Sequence, residues 1–246
     1  MSKIISIANF KGGVGKTTSC VNIGAGLAKA GKRVLLLDMD AQHNLSQSFL
    51  VDADDLENVT TSYQILTGVK PVPHEIEDNL FIIPSSLDLI KAQTELVSKF
   101  KREYILEGIL KPLRESFDFI IIDCPPSLGI ITVNSFIASD LIFTPIEAEY
   151  LSLKGFSILS EALDNIGLQI DRVFISKFDG RKVLNQSVKN NVLDALGEKA
   201  FKTVIRSNIA LAEAPTAGRS IFDYAPRSNG ANDYKSLTNE ILKNYE

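Results

Sequence analysis

The segment IISIANFKGGVGKTT, residues 4–18, joins a short β-branched run to a glycine-rich loop and then to a helical pattern. The glycines allow successive backbone N–H groups to curl around phosphate oxygens, and the following helix N-terminus adds the positive end of its dipole. Lys16 supplies a positive charge for the β- and γ-phosphates, and the Thr17 hydroxyl is a suitable Mg²⁺ ligand. The usual G-x-x-x-x-G-K-[ST] pattern is not met, because Phe10 stands at its first glycine. We predict phosphate binding by Lys11, Gly12, Gly13, Val14, Gly15, Lys16, Thr17 and Thr18.

Short β-branched runs alternate with helical patterns on either side of this loop. We predict strands at 4–8, 34–38, 80–84, 119–123, 141–146, 173–176 and 202–205, and helices at 16–30, 87–100, 102–115, 151–165, 182–196 and 232–244. Several strands are apolar without a break, which is typical of parallel strands covered on both faces. The alternation predicts an α/β fold with a doubly wound, mostly parallel sheet and helices on both faces. No repeat or linker divides the chain, so we predict one domain over residues 1–246.

Three aspartates follow predicted strands, at the edge where an open α/β sheet binds its ligands. Asp38 ends the second strand, and Asp40 follows two residues later. Asp123 ends a fully apolar run, as in a Walker B motif, and Mg²⁺ needs such an oxygen source in addition to Thr17. A turn or helix cap is an alternative role for Asp38. The residues alone thus predict a Mg²⁺ site that includes Thr17 and Asp123.

Composition and charge exclude several classes of protein for this chain. The 246 residues carry a formal charge of −4, so the whole chain is not a polycation that coats nucleic acid. Two cysteines, Cys20 and Cys124, exclude a disulfide framework or a four-cysteine zinc site within one chain. The N-terminus does not read as a secretory signal, and the longest apolar stretch, residues 128–146, is too polar for a transmembrane helix. We expect a reduced, cytoplasmic protein.

The octet KGGVGKTT, residues 11–18, resembles the deviant Walker A motif of the ParA/MinD family, and residues 123–129 match that family's D-C-P-P-S-L-G in full. The resemblance covers nearly the whole chain, is closest to the short, Soj-like ParA type, and implies a P-loop NTPase fold with ATP and Mg²⁺ as cofactors. In that family the early lysine, here Lys11, reaches the partner's phosphates in an ATP-bound sandwich homodimer. In the family's D-x-D motif the first aspartate, here Asp38, resembles the position that supports Mg²⁺, which implies a metal site of Thr17, Asp38 and Asp123. The second aspartate, here Asp40, orients the attacking water. The resemblance thus implies a slow ATPase with Asp40, Lys11 and Lys16 as catalytic residues.

The segment Ile205–Pro215 resembles a family segment whose proline and asparagine lie beside the adenine. Asn208 retains the asparagine, whose amide offers a donor and an acceptor to a base edge. Arg206 stands at the proline position, where a backbone contact is still available. The resemblance therefore implies that Arg206 and Asn208 contact the nucleotide.

Basic residues are concentrated between residues 172 and 206, where eight of them face three acidic residues. The arginines with which some family members touch DNA are Ser207 and Ala210 here, and Arg206 is a possible substitute. We predict non-specific DNA binding through Lys177, Arg181, Lys182, Lys189, Lys199, Lys202 and Arg206. A solvated face on an ordinary α/β domain explains the same charge equally well.

The leading interpretation is an ATP-dependent partition switch. Its ATP-bound dimer would bind DNA on the nucleoid and leave it when a ParB-like DNA-binding partner stimulates hydrolysis, during chromosome or plasmid segregation. A MinD-like, membrane-associated positioning ATPase is the alternative, but residues 234–246 carry two lysines against two glutamates, so we expect this tail to pack on the domain. A small-molecule enzyme on the same scaffold lacks a visible substrate constellation. A nucleotide-binding module without hydrolysis conflicts with the joint presence of Lys16, Asp40 and Asp123.

Overall fold

In the computed structural model, which describes residues 2–52, 59–149 and 152–245, eight strands form a single sheet. The strands are β1 (Lys3–Ile7), β2 (Val34–Asp38), β3 (His74–Glu77), β4 (Leu80–Ile83), β5 (Phe119–Asp123), β6 (Leu141–Glu147), β7 (Arg172–Phe178) and β8 (Ala200–Arg206). Their order is β3-β4-β2-β5-β1-β6-β7-β8, and the pairs are parallel except for β3 with β4. The predicted α/β fold with a doubly wound, mostly parallel sheet is confirmed. The interpretation of residues 1–246 as one domain stays a prediction.

Helices cover both faces of this sheet. They are α1 (Lys16–Lys29), α2 (Asn44–Gln47), α3 (Ser62–Thr67), α4 (Leu89–Glu95), α5 (Ile105–Leu110), α6 (Ile130–Ala138), α7 (Ser152–Asp164), α8 (Val183–Leu196), α9 (Ala210–Glu213), α10 (Ile221–Tyr224) and α11 (Asn229–Tyr245). Alternate residues of a strand point to opposite faces. Ile120 and Ile122 of β5 therefore join one core with α3 to α8, while Phe119 and Ile121 join a second core with α1, α10 and α11.

Three local differences from the predicted elements have physical reasons. The antiparallel strand β3 was not predicted, because its sequence His-Glu-Ile-Glu is polar and lies at the sheet edge. The predicted helix 102–115 is broken into α5 and short 3₁₀ turns, since Pro112 cannot donate to the helical ladder. The helix α3 was not predicted, because it is too short to show a helical period. It begins at a capping box between Thr61 and Gln64, which is a local sequence signal for a helix start.

The position of β1 in the sheet determines where the glycine-rich loop lies. β1 stands between β5 and β6, so the chain runs to one side of the sheet through β2 and to the other side through β6, β7 and β8. Such a reversal of strand order leaves a crevice at the carboxyl ends of the strands, where ligands bind in this class of fold. The loop at residues 8–15 enters this crevice directly from β1.

Candidate functional site

The glycine-rich loop has the backbone conformation that its sequence predicts. Gly13 and Gly15 have φ of 72° and 93°, in the left-handed region that side chains with a Cβ avoid. Lys16, the first residue of α1, is buried, and its ammonium nitrogen Nζ lies 3.4 Å from the carbonyl oxygen of Lys11. The loop therefore folds around the Lys16 ammonium, and this charge lines the cleft together with the loop glycines, where a phosphate group would meet it.

The end of β7 anchors the loop from the other side. The Ser176 hydroxyl donates a hydrogen bond of 2.7 Å to the carbonyl oxygen of Val14, and both residues are buried. The sheet register places Ser176 beside Glu147, the last residue of β6. The carboxyl end of β6 holds the loop as well, since the Asn9 side-chain amide donates to the carbonyl oxygen of Pro145 at 2.8 Å.

Two carboxylates meet at the ends of β2 and β5. The register pairs Asp38 with Asp123, and both side chains are buried. The Thr17 hydroxyl donates to Asp123 Oδ2 at 2.6 Å, while Asp123 Oδ1 is buried without a hydrogen-bond partner. Burial and the charge of Asp38 raise the pKa of Asp123 to about 8. An orphaned carboxylate oxygen beside a hydroxyl fits a hard divalent cation, which would stabilise the ionised form of Asp123.

The predicted Mg²⁺ site has few protein ligands. Among the described residues there is no group of three or more His, Cys, Asp or Glu side chains that could form a protein cage for a metal. Mg²⁺ usually keeps several waters and takes one or two protein oxygens together with substrate phosphates. Thr17 and Asp123 are suited to such a site, where the cation would neutralise phosphate charge.

Asp38 is engaged by the loop that follows β2. Its Oδ2 accepts bonds from the backbone and hydroxyl of Ser46, at 2.9 and 2.7 Å, and its Oδ1 accepts from the backbone of Asp40 at 3.1 Å. Burial raises the pKa of Asp38 to about 6, although the bonds from Ser46 oppose this shift. The carboxylate therefore positions the segment that carries Asp40. Its predicted role at the metal stays a prediction.

Asp40 and Lys11 differ in what their side chains face. Asp40 lines the large cleft together with Gly12, Lys16 and Thr17. The side chain of Lys11 instead reaches Glu147 and Glu149, with Nζ to oxygen distances of 2.8 and 3.2 Å. Burial lowers the pKa of Lys11, but the hydrogen bonds that its ammonium donates to both glutamates outweigh this effect and leave the pKa raised.

The cleft has a volume of about 1180 Å³, enough for a nucleotide. Its far wall is formed by Leu211, Ala212, Pro215 and Thr216. Arg206 and Asn208 do not line it: the Arg206 guanidinium pairs with Asp233, and Asn208 Oδ1 accepts a bond from the backbone of Ala210. The predicted contact of Arg206 and Asn208 with the nucleotide base stays a prediction. The residues of α9 and the following turn that form this wall were not predicted from the sequence.

The seven predicted DNA-binding residues do not form one cluster. Lys177, Arg181, Lys182 and Arg206 lie at or just beyond the carboxyl ends of β7 and β8, whereas Lys199 and Lys202 lie at the amino end of β8. Lys189 on α8 belongs with the first group, because its ammonium lies 5.7 Å from the ring centre of Phe178, the last residue of β7. Because β8 has seven residues, the two ends are about 20 Å apart. Lys177 differs from the rest, since it lines the cleft beside the glycine-rich loop.

Comparison with known proteins agrees with this geometry. Residues 2–176 match a family model described as an AAA domain. The chain is 41% identical to the sporulation initiation inhibitor protein Soj of Bacillus subtilis, over 99% of this chain and 100% of that protein. It is 40% identical to the chromosome-partitioning ATPase Soj of Treponema pallidum, over 98% of each.

A solved structure shows the same fold with a ligand. Cobyrinic acid a,c-diamide synthase from Mycobacterium smegmatis, with a bound ATP analogue and magnesium, superposes with a TM-score of 0.86. That protein is 28% identical, and the match covers 100% of this chain and 96% of the other. The identity to the two Soj proteins, about 40% along their full length, is considerably higher than the 28% identity to this synthase. The chain therefore belongs to the ParA/Soj family of chromosome-partitioning P-loop ATPases.

Proposed function

We propose that this protein is an ATP-dependent partition switch. ATP and Mg²⁺ occupy the cleft, two copies close around two nucleotides, and the dimer binds DNA without sequence specificity. Hydrolysis, stimulated by a ParB-like DNA-binding partner, opens the dimer and releases the DNA. The protein then acts in the cytoplasm, on the nucleoid. The strand-end aspartates, the loop built around Lys16 and the Soj relatives support this proposal.

The orientation of Lys11 carries the proposal. Lys16 lines the cleft of its own chain, whereas the side chain of Lys11 pairs with Glu147 and Glu149 and is not among the residues that line the cleft. A lysine so placed is suited to a phosphate bound by a second copy. At 4 Å and an effective dielectric constant near 20, one such charge contributes about 4 kcal/mol. This attraction would favour the dimer only while the triphosphate is present.

Hydrolysis requires little more than positioning and charge. Asp40 lines the cleft on a segment fixed by Asp38, and the backbone of Gln42 donates to its Oδ1 at 3.0 Å. In the proposed reaction Asp40 orients the water, while Lys16 and Lys11 stabilise the charge that develops on the phosphoryl oxygens. Bound Mg²⁺ would supply further neutralisation of phosphate charge. Turnover is expected to be slow without the partner.

The membrane-associated alternative is less well supported. The buried side of α11, which includes Tyr234, Leu237 and Ile241, packs against α1 and β8. An interfacial membrane helix needs a free apolar face. Among helices in the described ranges, none combines the length and the apolar character needed to cross a bilayer.

Variants of the loop test the switch. With Mg²⁺ and a non-cleavable ATP analogue, we expect light scattering to give twice the monomer mass of 27.0 kDa for the wild type and for Asp40→Ala. Lys16→Ala should remain monomeric because it loses the nucleotide, and Lys11→Ala should bind nucleotide but remain monomeric. Lys70→Ala, an exposed lysine outside the cleft, is the matched control. A wild-type protein that stays monomeric, or an Asp40→Ala variant that hydrolyses ATP normally, contradicts the proposal.

DNA binding is tested at each end of the β7–β8 unit. The double variants Arg181→Ala/Lys182→Ala and Lys199→Ala/Lys202→Ala each remove two charges from one end. We expect one of them to weaken DNA binding by the ATP-bound dimer and to lower its salt dependence, by about 0.9 in log–log slope for each phosphate that is no longer neutralised. Affinity that ignores salt, or equal affinity in both variants and wild type, would exclude these basic residues as the DNA-binding surface.

A further inference from the structure

Lys177 follows the residue that docks β7 onto the glycine-rich loop. Ser176 donates to the carbonyl oxygen of Val14, and the next side chain, that of Lys177, turns toward the cleft. Its Nζ lies 4.0 Å from the point that a Cβ on Gly13 would occupy. Lys177 and Lys16 thus both line the cleft beside the same short loop.

The backbone of Lys177 is held in an unfavourable conformation. Its φ is 51°, in the left-handed region that residues with a Cβ rarely adopt. Within the described chain, five non-glycine residues have positive φ, and three of them, His43, Leu50 and Lys177, line this cleft. Strained residues that gather at one cleft are typical of ligand sites.

A shared carboxylate holds the Lys177 ammonium near the loop. Glu147 Oε1 lies 3.7 Å from Lys177 Nζ, while its Oε2 accepts a shorter bond of 2.8 Å from Lys11. Glu147 is thus the common partner of two ammonium groups, and its contact with Lys177 is the longer one. A lysine has three donors, so this contact leaves Lys177 able to bind a further anion.

We propose that Lys177 is an additional phosphate-binding residue, which contacts the nucleotide phosphates from the β7 side of the loop. The inference rests on the proposed function, because the ligand is the nucleoside triphosphate of that site. It gives Lys177 a role in the cleft of its own chain instead of the DNA contact predicted from the sequence. Glu147 then competes with the phosphates for Lys177 and limits the affinity for nucleotide.

The test measures the affinity of each variant for a fluorescent ATP analogue with Mg²⁺. We expect Lys177→Met to bind about tenfold more weakly, with a smaller dependence of affinity on salt, and Lys177→Arg to recover most of the loss. Glu147→Gln should bind more tightly than wild type. Arg181→Met is the matched control, because Arg181 is exposed, pairs with Asp179 and does not line the cleft.

The outcomes separate the two proposals. If the wild type binds the analogue and Lys177→Met binds it within twofold as tightly, with the same salt dependence, the role of Lys177 is wrong and the proposed function stands. If the wild type itself does not bind the analogue, the proposed function fails. A thermal unfolding curve of Lys177→Met that matches wild type confirms that a loss of affinity is local.

Discussion

Replacing Asp233 with alanine should destabilise the contact between α11 and β8. Asp233 Oδ2 accepts the backbone N–H of Arg206 at 2.9 Å, and its two oxygens take the guanidinium in a fork, with Nη2 at 2.6 Å and Nε at 2.9 Å. The side chain of Asp233 is 10% exposed and that of Arg206 is 43% exposed. The pair is therefore partly screened by water, and the backbone bond is the less replaceable part.

The magnitude follows from these contacts. Loss of the acceptor leaves a partly buried N–H unsatisfied, which costs about 1–2 kcal/mol. The ion pair adds about 1 kcal/mol, because one partner is well solvated. With a urea slope of about 3 kcal/mol per molar for a chain of this size, a total of about 2–3 kcal/mol lowers the unfolding midpoint by about 0.7–1 M.

Urea unfolding followed by circular dichroism measures this effect. Asp233→Asn keeps an oxygen acceptor for the backbone and should lose only about 1 kcal/mol. Arg206→Met removes the guanidinium but not the backbone bond, and because Arg206 lies outside the cleft we expect it to keep the nucleotide affinity. An Asp233→Ala midpoint within about 0.2 M of wild type would refute the stability reasoning. A tenfold loss of nucleotide affinity in Arg206→Met would instead show that the guanidinium itself contacts the nucleotide.

Three further predictions concern the site and its supports. Thr17→Val should raise the Mg²⁺ concentration needed for half-maximal hydrolysis at least about tenfold, whereas Thr17→Ser should restore it, because the hydroxyl beside Asp123 is what the cation needs; an unchanged Mg²⁺ titration would exclude Thr17 as a ligand. Gly218→Ala should lower Tm by about 2–8 °C, since φ is 64° and a Cβ would lie 2.7 Å from Leu50, and normal stability would contradict that close packing. Tyr234→Phe should cost about 1 kcal/mol of unfolding free energy because it removes the hydrogen bond to Ser19, and denaturant unfolding measures this cost; no change would indicate that the bond contributes nothing.

The sheet and the phosphate loop could be read from the sequence because their signals are local. The apolar run before Asp123 and the glycines before Lys16 each specify a backbone conformation without reference to distant residues. The polar edge strand β3 carries no such signal, since its pairing with β4 depends on the turn at Asn79, whose φ is 65°. Local patterns thus located the carboxyl-end crevice, but they did not fix which side chains turn into it.

Residues of the site that lie far apart in sequence were harder to place. The pairing of Glu147 with both Lys11 and Lys177 arises from strand register and from a left-handed backbone, and neither can be read from composition. The basic residues between 172 and 206 illustrate the same difficulty. Their excess of charge is visible in the sequence, but its separation onto two ends of β8 follows only from the direction of the strand.

The hydrogen bond between Ser19 and Tyr234 connects the last helix, α11, to the first helix, α1, and stabilises its position. Ser19 Oγ donates to the carbonyl oxygen of Gly15 at 2.6 Å and lies 3.0 Å from the Tyr234 hydroxyl, in a space that is fully buried. Asp233, the residue before Tyr234, accepts a hydrogen bond from the backbone of Arg206 at the end of β8. The start of α1 is therefore held in place by α11, which lies more than 200 residues later in the chain. A truncation that removed α11 would therefore weaken triphosphate binding, even though every residue of the glycine-rich loop remained, because the start of α1 would lose its support.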